Sequence, residues 1–162
     1  MSQVKVLFVC LGNICRSPLA EVVVAGQAEK RGLNETFHFA SAGTGSWHIG
    51  KGADPRSAQT ASEHALDLSG HRAQQITAAK VSQWDWFVAM DASNYADLIR
   101  MGVPEDRLLL MRQFEPGFDR VPDVPDPYYG GPDGFEDAYR MLCDNADRLL
   151  DHLAAERETE AL

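Results

Sequence analysis

The chain has 162 residues, 44% of them apolar, and a formal net charge of −9 at neutral pH, which predicts one globular domain over residues 1–162 with an ordinary core. The acidic balance excludes a nucleic-acid partner, which requires a basic face for phosphate contacts, but leaves room for a small phosphate ligand in a locally positive site. The start, "MSQVKVLFVC", lacks the marks of a secretory signal and no run has the apolar length for membrane insertion, so a cytoplasmic protein is expected.

Val4 to Cys10 reads as a fully buried strand. A helix is expected from Ser17, with Ser17 at the cap, Pro18 at the first helical position and Gly32 at the end. Thr36 to Gly43 is a second β-like run; it leads into the Gly-rich stretch "GTGSWHIGKG", after which Asp54-Pro55 opens another helix. Trp84 to Met90 and Arg107 to Met111 read as two more short strands. Between them a helix runs from about Ala92 to Arg100, ended by Gly102 and Pro104. From Phe114 to Gly134 the chain is rich in Pro, Gly and Asp, an irregular loop of a length that in compact domains usually carries function. The closing stretch "FEDAYRMLCDNADRLLDHLAAERE" spaces its apolar residues for a helix.

Strands alternating with helices predict an α/β fold: a four-stranded parallel sheet with helices on both faces, joined by right-handed crossovers. Ligands of such sheets bind beyond the strand C-termini. Cys10, the last residue of the first strand, therefore stands at the expected mouth of the site.

Cys10 opens the stretch "CLGNICRSP", in which five residues separate it from Arg16. A thiol is a poor nucleophile until its proton is removed, and a helix N-terminus, converging backbone N–H groups and a guanidinium all favour the thiolate. Gly12 and Asn13 accept positive φ, so the residues Leu11, Gly12, Asn13, Ile14, Cys15, Arg16 and Ser17 can curl into an anion cradle with their amides inward. Arg16 adds a planar fork that matches two oxygens of a tetrahedral oxyanion, and Ser17 is placed to hydrogen-bond the Cys10 sulfur. A thiolate inside a phosphate cradle implies attack on phosphorus. Departure of the leaving group needs a proton, and "VPDVPDPYYGG" offers one: Asp126 lies between Pro125 and Pro127, which restrict its backbone. Tyr128 and Tyr129 next to it, with Trp47 in the Gly-rich loop, are candidate walls of an aromatic-accepting pocket.

These residues resemble the low-molecular-weight protein tyrosine phosphatases over nearly the whole chain. The match takes in Cys10 to Pro18, "DPRS" (Asp54 to Ser57), "MDASN" (Met90 to Asn94) and "DPYYG" (Asp126 to Gly130). The resemblance implies a phosphotyrosine protein phosphatase I-like fold, a phosphoenzyme on Cys10, phosphate binding by Arg16 and proton donation by Asp126. It further implies a pocket aromatic at Trp47, a loop held in strained form by Asn13 with Ser41 and His71, and a protective pairing of Cys10 with Cys15 on oxidation. A phosphotyrosine-containing protein is then the substrate, with phosphate or vanadate as competitive inhibitors.

Other readings account for fewer residues. Thioredoxin-coupled arsenate reductases of this fold use further cysteines after the third strand, and Met90 to Gly117 contains none. Protein-arginine phosphatases usually carry Thr at the position of Ile14 and one aromatic where this chain has Tyr128 and Tyr129. A binding module has no need of Cys10 or Asp126, and no Gly-Lys-Ser/Thr follows to make a nucleotide-hydrolysing loop. The three cysteines have neither disulfide-framework nor zinc spacing, and no histidine cluster suits a metal, so neither metal nor cofactor is expected. Asp123 is a rival acid whose plainer role is a solvated loop charge. Trp84, Trp86 and Cys143 read as packing residues, and His38, His64 and His152 as surface or core. His48, beside Trp47, is within reach of a substrate.

Overall fold

The computed structural model describes residues 3–131 and 133–161. Its centre is one sheet of four parallel strands, β1 (Val4–Cys10), β2 (Phe37–Gly43), β3 (Trp86–Ala89) and β4 (Leu108–Leu110), in the spatial order β2-β1-β3-β4. The connections carry helices α1 (Arg16–Lys30), α2 (Pro55–Glu63) and α3 (Ala92–Met101), and α4 (Asp133–Ala161) closes the chain.

Alternation along β1 sorts its side chains between two cores, because successive residues of a strand point to opposite faces. Val6, Phe8 and Cys10 face a cluster built with Leu19, Val23 and Val24 of α1 and Leu142, Leu149 and Leu150 of α4. Leu7 and Val9 face a second cluster with Phe87, Ile76 and Leu98 of α3. Burial on both faces explains why "VLFV" is apolar without interruption. Truncating the fully buried Phe8 to Ala would cost about 3–5 kcal/mol.

The chain leaves β1 toward β2 on one side and returns to β3 on the other, which makes the C-terminal ends of β1 and β3 the switch point where open α/β sheets bind ligands. Cys10 ends β1 there, and Asp91 follows β3 beside it. The close approach at this end needs Gly43, since a Cβ on it would lie 2.7 Å from the Leu11 carbonyl oxygen.

The element order matches the sequence expectation, with differences at the ends. β3 is shorter than Trp84 to Met90: Trp84 lies outside it, stacked on His38, while Trp86 is buried in the strand. α1 begins at Arg16 with Cys15 as its N-cap, so Ser17 is not the cap. The Ser17 hydroxyl is engaged inside the loop instead, as described below. Cys143 is exposed rather than packed, because it lies one position off the buried row through Leu142, Ala146 and Leu149. Asp54 caps α2 and Asp91 caps α3, each through its own carboxylate, and Gly102 ends α3 at φ 98°, where a residue with a side chain is disfavoured. Among the described residues no helix is long and apolar enough to cross a membrane.

Candidate active site

Beyond the ends of β1 and β3 lies a cavity of about 380 Å³ lined by Cys10, Leu11, Gly12, Ile14, Cys15, Arg16, Trp47, His48, Asp126 and Tyr128. All ten stand among the residues expected from sequence, His48 as the one expected only to be within reach of a substrate. Asn13 and Ser17 sit behind the cavity wall, fully buried. The side chain of Tyr129 lies outside the described residues.

The loop from Cys10 to Arg16 turns at Asn13, which takes φ 58°, a conformation that its short polar side chain tolerates. Three parts of the chain hold that turn. Asn13 Nδ2 donates to Ser17 Oγ at 2.8 Å and to Ser41 Oγ at 2.9 Å. Its Oδ1 accepts from the Gln74 backbone N–H at 2.9 Å, and its carbonyl accepts from His71 Nε2 at 2.7 Å. A carbonyl only accepts, so Nε2 of His71 carries a proton. Burial lowers the pKa of His71, and the Asn13 carbonyl opposes that shift. The backbone amides of Gly45 and Thr44 add bonds to the carbonyls of Leu11 and Cys10, both at 2.9 Å.

Cys10 Sγ lies 3.0 Å from Ser17 Oγ. A hydroxyl has one proton and two acceptor sites. Asn13 fills one acceptor site, and the competing acceptor for the proton, the Ala42 carbonyl, is farther away at 3.5 Å. The Ser17 proton is therefore directed at the sulfur. Cys15 is in a different environment: burial pushes its thiol far above the ordinary value, and the neighbouring Asp54, Cys10 and Asp126 add to the shift. Of the two loop cysteines, only Cys10 has a hydroxyl directed at its sulfur among the described hydrogen bonds.

Arg16 is 2% exposed and held from two sides. NH1 donates to Asp91 Oδ2 at 2.6 Å and to the Val124 carbonyl at 2.9 Å, while NH2 stands 3.6 Å from Asp126 Oδ2. Burial works against its charge, yet Cys10, Asp91 and Asp126 outweigh it and raise the pKa above the ordinary guanidinium value. Asp91 was not singled out from sequence. Its signal was its place, directly after a predicted strand at the binding end of the sheet.

Asp126 is extended between its prolines and caps a single turn at Pro127–Tyr129, its Oδ1 accepting the Tyr128 N–H at 3.0 Å. Oδ2 faces the cavity and Arg16. Asp123 is engaged elsewhere: its Oδ1 accepts the Ala92 N–H at 3.0 Å at the start of α3, and its carbonyl accepts from Arg112 at 2.8 Å. Of the two aspartates, Asp126 is the one that lines the cavity. Trp47, 68% exposed, lies over Gly45, where a Cβ would collide with the ring, and the rings of His48 and Tyr128 stand 6.5 Å apart across the opening. Among the described residues no group of His, Cys, Asp and Glu is arranged to hold a metal ion.

Residues 5–159 match the family model described as low molecular weight phosphotyrosine protein phosphatase. A low molecular weight protein-tyrosine-phosphatase of Streptomyces coelicolor is 44% identical, over 95% of this chain and 94% of that protein. The crystal structure of a protein tyrosine phosphatase from Entamoeba histolytica with Hepes in its active site superposes with a TM-score of 0.87 at 34% identity, covering 96% of this chain and 99% of that one. Vibrio vulnificus Wzb in complex with benzylphosphonate gives 0.80 at 31% identity, covering 93% and 99%. Matched by the family model over residues 5–159 and 44% identical to a relative across nearly its full length, the chain belongs to the low molecular weight phosphotyrosine protein phosphatase family.

Proposed function

We propose that this chain hydrolyses phosphotyrosine in proteins, and aryl phosphates generally, through a phosphocysteine on Cys10. The observation that carries the reading is the meeting of Cys10, Arg16 and Asp126 in one cavity, with a hydroxyl directed at the sulfur. In the first step the Cys10 thiolate attacks phosphorus, an S–P bond forms, and the P–O bond to the phenol breaks as Asp126 gives its proton to the departing oxygen. Arg16 and the amides from Leu11 to Ser17 hold the phosphoryl oxygens as charge shifts among them. In the second step the Asp126 carboxylate takes a proton from water, the water oxygen attacks phosphorus, and the S–P bond breaks to return the thiolate and free phosphate. The side chains and water suffice, so the reading calls for no cofactor.

Trp47 and Tyr128 give the opening apolar walls suited to a flat ring, and the benzylphosphonate bound by Vibrio vulnificus Wzb, a ring one carbon from a phosphonate, is a ligand of that shape. Phosphate and vanadate should compete with substrate for the cradle. We read the chain as a single cytoplasmic domain, residues 1–162, and Cys15 as the thiol that traps oxidised Cys10 as a disulfide. Thiol reductant should restore peroxide-treated enzyme, recovery should be poor in Cys15→Ser, and unchanged recovery there would remove Cys15 from the scheme. The reaction itself is tested by phosphate release from aryl phosphate, phosphotyrosine, phosphoserine and phosphoarginine peptides side by side. The first two should be turned over; preference for either of the others would overturn the assignment.

A further inference from the structure

The acid loop is fastened differently on the two sides of Asp126. Upstream, the Val124 N–H donates to the Met90 carbonyl at 2.8 Å, its carbonyl accepts from Arg16, and Asp123 is tied to α3. Downstream, the single turn that Asp126 caps is reached from α2 by Arg56. NH1 of Arg56 donates to the Tyr128 carbonyl at 3.2 Å, and its guanidinium lies 5.3 Å from the Tyr128 ring centre and 4.7 Å from that of Phe135, in the first turn of α4.

The other edge of the same guanidinium is fixed to the back of the phosphate loop. Nε and NH2 bind the two carboxylate oxygens of Asp54 at 3.1 and 2.9 Å. Asp54 is buried, and its backbone N–H donates to the Ile14 carbonyl at 2.8 Å; Ser57, in the same turn, donates to the Cys15 carbonyl at 3.1 Å. The hydrogen bonds from Arg56 hold the Asp54 carboxyl below its usual range. As an ion pair with a partly exposed partner this contact adds little stability. Its geometry says more: a planar fork bound on two edges and stacked on rings has one orientation, which a flexible ammonium does not reproduce.

We propose that Arg56 is a positioning residue for the proton transfer, a strut that spans from the phosphate loop to the acid-loop turn and sets Asp126 at its height above the cradle. This rests on the phosphatase reading with Asp126 as the acid. It gives "DPRS", a landmark without a task in the sequence, a mechanical one: Asp54 anchors, Arg56 spans, Ser57 locks the anchor to the loop.

The experiment is a leaving-group series of aryl phosphates, from phenyl to p-nitrophenyl phosphate, run on wild type, Arg56→Ala, Arg56→Lys and Asp126→Asn, with vanadate affinity measured on each. General acids contribute roughly 10²–10⁴-fold, so a misplaced one should lower kcat for phenyl phosphate by about tenfold or more. The loss for p-nitrophenyl phosphate should be several times smaller. Vanadate affinity should stay near wild type in Arg56→Lys, which keeps a charge beside Asp54, and the double variant Arg56→Ala with Asp126→Asn should be no worse than Asp126→Asn alone. Equal losses across the series, additive losses in the double variant, or vanadate affinity falling in step with kcat in Arg56→Lys would each overturn the strut. A wild type inactive on every aryl phosphate would instead overturn the phosphatase reading beneath it, and a flat series for Asp126→Asn the choice of acid.

Discussion

The two loops that form the site are built on opposite plans. The phosphate loop is short, contiguous and buried, and its central residue, Asn13, is bonded from α1, β2 and the segment after α2. The acid loop is long, irregular and largely exposed, and Asp126 reaches its place through a few fastenings made by residues far away in sequence. On the proposed reading, the difference follows from the tasks. Oxyanion stabilisation works only if the donors are fixed before the charge arrives, which requires a cradle that does not relax. A proton donor must approach and then admit water, and a group on the surface of a braced loop can do both.

If the cradle binds independently of its nucleophile, Cys10→Ser gives the largest effect: turnover should drop by about 10⁴-fold or more, while calorimetric titration still detects phosphate or vanadate. Loss of both together would mean that the sulfur organises the loop. Asp126→Asn comes next. It should cost roughly 10²–10⁴-fold for phenyl phosphate and far less for p-nitrophenyl phosphate in steady-state assays, with thermal stability near wild type because the group is exposed. Asn13→Ala tests the contrast from the other side. It removes the three hydrogen bonds of one buried side chain, leaving Ser17 and Ser41 without their donor and the Gln74 N–H without its acceptor, at a cost of about 1–3 kcal/mol, visible as a lower denaturation midpoint and weaker vanadate binding. An Asn13→Ala protein of unchanged stability would deny that the cradle is preorganised by that residue.

The smallest effect is a pH dependence of stability. The folded pKa of His71 lies below its ordinary value because of burial, so the unfolded chain binds its proton first as pH falls. The contribution of His71 is present above the unfolded value of about 6.5 and is lost as pH drops through the folded one. Denaturation midpoints between neutral and mildly acid pH should show a decline that is shallower in His71→Gln, which keeps a donor but does not titrate.

The cradle was legible in sequence because its chemistry is local: one strand end, a positive-φ residue, an arginine and a serine within a single stretch. The strands were legible because their burial on both faces removes polar residues. Asp91 and Arg56 were not, since their partners Arg16 and Tyr128 are 75 and 72 residues away, and nothing in a local pattern marks such a meeting. Ser17 misled as a helix cap for a related reason. A serine before proline has the form of a cap, and only the folded loop brings the Cys10 sulfur and Asn13 to its hydroxyl. Asp123 and Asp126 have similar surroundings in sequence, and the first bonds of α3 separate them in space.

The central claim is that Cys10 carries the phosphoryl group. Enzyme turning over an aryl phosphate with a radiolabelled phosphoryl group, quenched in denaturant and digested for mass spectrometry, tests it directly. Label on the peptide bearing Cys10, more abundant in Asp126→Asn with a good leaving group because water attack is slowed, and absent in Cys10→Ser, is the predicted result. Steady turnover with no labelled cysteine, or with label on another residue, would contradict it.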